Sequence, residues 1–193
     1  MPKVVNIFPP LLPGDQVGVQ GTAWLSRAIL WFERFLPNAW NHRHKPRCSH
    51  WAIVYDPHFL IEAVGRIRMA PLCEYNNTRV VIYRRQRYAD WQKKIYVGTL
   101  LEQWDSKYGW GKLVLLALDA LFRTYWFTQR FGVTSYKVCS EFAAWGWQQT
   151  FGSDMVPDID WKNVSPDLLD DFCRSNPDVW ECIYDSIDEV HEN

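Results

Sequence analysis

The sequence predicts a mixed fold in which an antiparallel sheet meets a helix that carries a cysteine. Short alternating runs between residues 16 and 85 are typical of strands, and helical periodicity dominates after residue 88. A third observation is the segment that begins at Cys139, where small and aromatic residues follow in the manner of a packed helix. With 193 residues, we expect a single domain over 1–193 that buries a sizeable core.

The composition is that of a globular protein with an excess of tryptophan. Hydrophobic residues make up 48% and charged residues 22%, and the net charge of −1 gives no indication of a nucleic-acid partner. Most of the twelve Trp residues are expected in the core, and a few in a substrate groove. The longest apolar stretch, residues 113–122, is interrupted by Asp119 and falls short of the about 20 residues that a membrane span needs.

The cysteine pattern argues against a zinc site. The five cysteines include no CxxC pair, and their odd number leaves at least one thiol outside any intramolecular disulfide. The first ten residues lack the basic and apolar regions of a secretory signal. We therefore expect reduced thiols, a cytoplasmic location in the producing cell, and neither metal nor cofactor.

The chain opens with a predicted strand and a predicted helix. A turn at 13–15 precedes the alternating run 16–20, and Thr22 is a candidate cap for the helix that follows. The apolar face of this helix is wide because Trp24 and Trp31 extend it. Two interpretations stay open: packing on a sheet, which such faces usually indicate, or a surface for a hydrophobic substrate.

Two strands near 49–56 and 59–65 form a predicted antiparallel hairpin. Glu62 lies in an apolar strand, where an unpaired carboxylate would cost several kcal/mol, so it needs a partner such as His50. A three-residue loop makes Ala52 face Glu62 and places His50 on the same face as a diagonal neighbour. A two-residue loop would put His50 and Glu62 on opposite faces, so their pairing requires the longer loop or a bulge.

The remaining elements alternate less regularly. A third strand is expected at 78–85 and an edge strand at 177–184, and a short helix starts at Ser165 and Pro166. Helical patterns at 88–107 and 112–131 form a predicted insertion around 88–131. The apolar stripe of the first of these consists of Trp91, Ile95, Leu100 and Trp104.

Cys139 differs from the other cysteines by its position at a helix start. The partial positive charge of a helix N-terminus favours a thiolate, and a neighbouring imidazolium favours it further. Ala143, Ala144 and Gly146 allow this helix to pack closely. A thiol, an imidazole and a carboxylate are the parts of a cysteine hydrolase. The alternatives are an inert buried cysteine and a histidine satisfied at the end of a strand.

The motifs Ser49-His50-Trp51-Ala52-Ile53-Val54, Ile61-Glu62-Ala63 and Val138-Cys139-Ser140-Glu141-Phe142 resemble those of the NlpC-type, papain-like superfamily. Because Cys139 follows the two strands, the chain resembles the circularly permuted, YiiX-like branch, to which lecithin:retinol acyltransferase is related. Pro13-Gly14-Asp15 and Trp24-Leu25-Ser26-Arg27-Ala28-Ile29 add to a resemblance that spans roughly residues 13–170.

The resemblance implies an α+β class, with an antiparallel sheet packed against the cysteine-bearing helix in a permuted papain-like fold. It also implies a thiol hydrolase that cleaves an amide bond, for which peptidoglycan peptides are one substrate class. Cys139 would be the nucleophile, His50 the base and Glu62 the orienting residue, while the backbone N–H of Cys139 would contribute to an oxyanion hole. Tyr108 and Trp51 are weaker candidates for substrate binding.

Two other functions stay open. The apolar face over Trp24–Phe35 and the stretch Leu113–Phe131 suggest hydrolysis or transfer of lipid or thioester acyl groups, with contact to a membrane surface. A non-catalytic interaction protein of a bacterium or phage, present in the host cytoplasm or the virion, would retain the fold without the chemistry. The oligomeric state does not follow from the sequence.

Overall fold

The computed structural model describes residues 8–33, 45–106 and 137–188, together with single positions between 111 and 130. In these residues the chain is α+β, and one six-stranded antiparallel sheet organises it. The strands are β1 (Gln16–Gln20), β2 (His50–Asp56), β3 (Phe59–Val64), β4 (Arg66–Pro71), β5 (Arg79–Arg85) and β6 (Trp180–Asp185), in the spatial order β4-β3-β2-β1-β5-β6.

Four helices accompany the sheet in the described residues. They are α1 (Trp24–Glu33), α2 (Asp90–Leu101), α3 (Cys139–Phe151) and α4 (Pro166–Ser175), and two short 3-10 helices lie at Leu72–Tyr75 and Trp161–Asn163. The predicted cap of α4 is confirmed, since the Ser165 hydroxyl accepts a hydrogen bond from the N–H of Leu168 at 3.2 Å. None of the helices in these residues has the length and hydrophobicity that a membrane crossing needs.

Alternation along the strands divides the core between the two faces of the sheet. Trp51 and Ile53 of β2 belong to the larger cluster, which includes side chains of α2, α3 and α4. Ala52 and Val54 belong to a smaller cluster on the other face, together with β1 and the segment before it. Every one of these four side chains is fully buried, so β2 is a central strand with both faces covered.

Helices α1 and α2 expose apolar residues that the sequence patterns place on their apolar faces. In α1 only Glu33 is buried, and Trp24 is 80% and Trp31 50% exposed, so the two tryptophans that widen the apolar face lie outside the core. In α2 the buried residues are Tyr96, Val97 and Leu100, whereas three of the four predicted stripe positions are exposed. These are Trp91, Ile95 and Trp104.

The strand predictions succeeded except for β4. The predicted edge strand is present as β6 but begins later, at Trp180, and the strands at 16–20, 50–56, 59–64 and 79–85 are present. Strand β4 was not predicted. In this strand Arg66 and Arg68 alternate with Ile67 and Met69. Such a pattern is typical of an edge strand that exposes one face to solvent.

Candidate active site

His50 and Glu62 meet across the β2–β3 hairpin. Ala52 pairs with Glu62, and the register shifts between Val54 and Asp56, where Tyr55 forms a bulge. The bulge supplies the extra residue that a two-residue turn lacks, so His50 and Glu62 share a face as the sequence argument requires. The His50 Nε2 and Glu62 Oε2 atoms are 2.7 Å apart.

Glu62 is a fully buried carboxylate with three donor groups around it. Arg68 of β4 donates from Nε to Oε1 at 2.9 Å, and the hydroxyl of Tyr75 donates to Oε2, which also accepts from His50. Burial alone would raise the pKa of Glu62. The hydrogen bonds from His50 and Tyr75 and the charge of Arg68 outweigh it and lower the pKa to about 2.

Cys139 is the second group that acts on the His50 ring. It is the first residue of α3 and is 4% exposed, whereas the side chain of His50 is 16% exposed. Burial of the ring lowers the pKa of His50. The charge of Cys139 and its hydrogen bond to the ring, and then the hydrogen bond and charge of Glu62, outweigh burial and raise the pKa to about 10. Because Glu62 occupies Nε2, Nδ1 is the ring nitrogen that remains for the thiol.

Small residues and hydrogen bonds fix the start of α3. A Cβ added to Gly146 would lie 2.4 Å from the side chain of Leu100 of α2, so a larger residue here would force Leu100 to shift. The hydroxyl of Tyr96 donates to the carbonyl of Ala143 at 3.1 Å. Ser140 donates to the carbonyl of Val164 at 2.7 Å. The cysteine is therefore held on a rigid element, as nucleophilic chemistry requires.

A buried arginine fixes the segment that leads into His50. The N–H of Arg47 donates to Asp167 of α4 at 2.6 Å, and its guanidinium contacts Asp170 at 3.2 Å and Asp185 of β6. The N–H of Ser49 then donates to the carbonyl of Val19 at 2.9 Å. These contacts connect the start of β2 to β1, β6 and α4, so His50 is positioned by the fold rather than by a free loop.

The two weaker predictions have different outcomes. Trp51 has no exposed surface; its Nε1 donates to Gln16 at 2.9 Å and its ring stacks on Tyr83, so its side chain packs in the core. Tyr108 lies outside the described residues, as does most of the predicted helical stretch at 112–131. A groove lined by aromatic side chains at the site stays a prediction.

Three residues of this region were not predicted from the sequence. Arg68 pairs with Glu62 across β3 and β4, and the alternating pattern of that segment was the available signal. Tyr75 lies in a short 3-10 helix, which no periodicity in the sequence predicts. Glu33 is buried and within electrostatic range of Cys139. The only indication in the sequence was that Glu33 is the one acidic residue of the apolar helix α1.

Comparisons with known proteins add a likeness of fold. The sequence matches no known family model and no curated protein. Among solved structures it is similar to the metalloprotein YiiX of Escherichia coli O157:H7, DUF1105, with a TM-score of 0.51 and 15% sequence identity over 92% of this chain and 89% of that one. The chain therefore has a YiiX-like fold.

Proposed function

We propose that this protein is a cysteine hydrolase that cleaves an amide bond through Cys139, His50 and Glu62. The observation that carries the proposal is that His50 interacts with two partners, Glu62 through Nε2 and Cys139, which also raises the pKa of the ring. A thiol at a helix start, a histidine and a third residue that orients it are the elements of nucleophilic acyl transfer. The YiiX-like fold is consistent with a permuted papain-like arrangement.

The mechanism begins with a proton transfer. Nδ1 of His50 takes the proton of the Cys139 thiol, and Glu62 stabilises the resulting imidazolium through Nε2. The thiolate attacks the substrate carbonyl carbon and pushes its electrons onto the oxygen, which the N–H groups at the start of α3 stabilise. His50 then protonates the leaving nitrogen as the C–N bond breaks, leaving a thioester on Cys139. His50 then deprotonates the water that attacks the thioester. The C–S bond breaks, the acid is released, and His50 returns the proton to the sulfur, which restores the thiol.

The solved YiiX protein is named a metalloprotein, but the residues of this site do not fit a metal ion. Both oxygens of Glu62 accept hydrogen bonds from Arg68, Tyr75 or His50. Elsewhere among the described residues, no group of three or more His, Cys, Asp and Glu side chains could hold a metal. The mechanism therefore contains no step through a metal.

Alkylation by iodoacetamide at pH 6, read by mass spectrometry, tests whether Cys139 is activated. Cys139 is buried, whereas Cys73 and Cys182 are exposed thiols, so accessibility alone predicts the opposite order of reaction. We expect Cys139 to react first because only a thiolate attacks rapidly at this pH. Slower labelling of Cys139 than of Cys73 would refute the proposal and favour a non-catalytic interaction protein.

A second candidate, acyl hydrolysis or transfer on lipids or thioesters, is favoured by α1. This helix exposes Trp24 and Trp31, and its Glu33 is within electrostatic range of Cys139, so exposed tryptophans belong to an element near the site. Trp is a residue of membrane–water interfaces. Screening muropeptides against phospholipid vesicles, with Cys139→Ala as the control, separates the two: hydrolysis of phospholipid but not of muropeptide would establish the acyl activity.

A further inference from the structure

A basic pocket lies at the end of β5 that is remote from His50. Its volume of about 690 Å³ is within the range of small-molecule sites. In the sheet, His50 pairs with Val19 of β1, and Val19 pairs with Val80 of β5. Arg85 lies in the wall of the pocket and ends β5, five residues beyond Val80, so about 17 Å of strand separates it from the level of His50. The pocket is therefore separate from the candidate active site.

Carboxylates pair with only part of the positive charge in this pocket. Four cationic side chains line it, namely Arg84, Arg85, Arg87 and Lys93. Arg84 donates to both oxygens of Asp15, at 3.0 and 2.6 Å. Lys93 contacts Asp90 at 3.0 Å. Glu181, the acidic residue of the wall, is the sheet partner of Arg84 and acts on that guanidinium. The two remaining guanidinium groups make no ion pair with any residue that the structure describes.

Aromatic rings hold the Arg85 guanidinium at the wall of the pocket. Its Cζ atom lies over the ring of Trp147, 4.4 Å from the ring centre, and 5.3 Å from the centre of Tyr88. Burial lowers the pKa of Arg85, whereas the hydrogen bonds to Asp15 raise that of Arg84. An arginine stays protonated in either case, so Arg85 is a half-buried cation whose N–H donors are available. Such a group, fixed in place and lacking a counterion, favours an anionic ligand.

The turn after β5 adds two unusual features to the same wall. Arg87 has a φ of 55°, in the left-handed region that glycine adopts more readily than arginine. The hydroxyl of Tyr88 is buried and has no hydrogen-bond partner in the described part of the chain. Burial raises the pKa of Tyr88 above its ordinary value, so this hydroxyl keeps its proton and is a donor. Strained backbone and unpaired buried donors are both concentrated at ligand sites.

We propose that this pocket binds a small molecule through its phosphate group, with the guanidinium of Arg85 as the bidentate partner and Arg87 as a second cation. A phosphate group carries nearly two negative charges and matches two unpaired cations, whereas a carboxylate matches one. The volume of the pocket leaves room for the organic part of the ligand. The site does not depend on the proposed function, because it contains none of the catalytic residues. The alternative is a solvated basic surface that attracts any anion by net charge.

Calorimetric titration with glycerol 3-phosphate at about 0.15 M salt measures the affinity, with uncharged glycerol as the ligand control. Arg85→Met keeps an apolar stem on the aromatic rings and removes the N–H donors, so Kd should rise on the order of 10–100-fold. Arg79→Gln is the matched control, because it removes the same charge from the exposed start of β5, where Arg79 contacts Gln20 at 3.4 Å. Its Kd should change less than about twofold at this salt concentration.

A second variant guards against misfolding of Arg85→Met. Arg87→Gly removes an exposed charge and replaces arginine with the residue that suits a φ of 55°, so it should fold at least as well as wild type. Its Kd should rise about two- to fivefold, as expected for one exposed charge. If Arg85→Met does not fold, an unchanged Kd in Arg87→Gly overturns the site.

Cosedimentation with vesicles distinguishes the two sources of a phosphate group. Phosphatidylcholine vesicles with and without phosphatidic acid present the same group as a lipid headgroup. Binding of glycerol 3-phosphate supports a soluble ligand. Binding only to vesicles that contain phosphatidic acid, lost in Arg85→Met and retained in Arg79→Gln, supports a lipid headgroup. Binding to neither probe, or equal weakening in Arg85→Met and Arg79→Gln, overturns the proposal and leaves a solvated basic surface.

Discussion

Two buried glutamates interact electrostatically with Cys139 or His50, and their pKa values are shifted in opposite directions. Glu62 is fully buried and ionised, with its pKa lowered to about 2. Glu33 is almost as buried, 7% exposed, but its pKa is raised well above 4.5. Burial opposes ionisation in both, so burial does not explain the difference.

The difference lies in what surrounds each carboxyl group. Glu62 receives hydrogen bonds from His50, Arg68 and Tyr75, and two of these donors carry positive charge. At Glu33 burial dominates, and the nearby charges of Asp167 and Cys139 act in the same direction. The surroundings of the same residue type therefore favour the ionised form in one place and disfavour it in the other. Three experiments test this division, beginning with the largest expected effect.

Removing the charge of Glu62 should cost the most activity. In Glu62→Gln the amide oxygen still accepts from Nε2 of His50, but it cannot stabilise the imidazolium. We expect kcat/KM to fall on the order of 10²–10⁴-fold, by analogy with catalytic triads whose carboxylate is replaced by an amide. The measurement is turnover of the best substrate from the screen, with circular dichroism to show that the fold is retained.

The matched control for this variant is Glu74→Gln. Glu74 contacts the same Arg68 at 3.2 Å, but its side chain is 47% exposed and it does not contact His50. Its replacement should change turnover less than about threefold, as usual for exposed ion pairs. Undiminished activity of Glu62→Gln would leave Glu62 only as a structural partner of Arg68.

The sequence predicted the part of this site that lies on regular strands. The apolar run around Glu62 required a partner, and the hairpin limited the partner to His50 if the loop was long enough or bulged. Whether the bulge at Tyr55 forms could not be predicted, because the same sequence is compatible with a turn of two residues and with a loop of three. Arg68, Tyr75 and Glu33 were missed because their roles depend on how β4, a short 3-10 helix and α1 are placed, and local pattern does not encode that placement.

The pH dependence of stability should differ in sign between the two glutamates. The lowered pKa of Glu62 contributes stability above pH 4.5 that is lost as pH falls through about 2. The raised pKa of Glu33 contributes stability below pH 4.5 that is lost as pH rises. Relative to wild type, Glu62→Gln should therefore be less stable at pH 7 and approach wild type at low pH.

Glu33→Gln should show the opposite trend in the same urea titrations. Its stability should resemble that of wild type near pH 4 and exceed it increasingly as pH rises, with a limiting slope of about 1.4 kcal/mol per pH unit for one proton. Parallel stability curves for wild type and Glu33→Gln between pH 4 and 8 would show that Glu33 ionises normally, and the contrast between the two glutamates would fail.

The smallest expected effect belongs to Tyr75, which acts only through Glu62. Tyr75→Phe removes the hydroxyl that donates to Oε2 and keeps the ring, while His50 and Arg68 continue to bind Glu62. The loss of one such hydrogen bond should cost about 0.5–1.5 kcal/mol and reduce kcat/KM by about tenfold at most. Because the hydroxyl stabilises the ionised form, its removal raises the pKa of Glu62, so acid unfolding should move to higher pH.

Tyr55→Phe is the control, since Tyr55 lies in the same hairpin but does not donate to Glu62. If both variants show the same acid unfolding midpoint as wild type, Tyr75 does not contribute to the charge of Glu62, and Arg68 and His50 alone account for it.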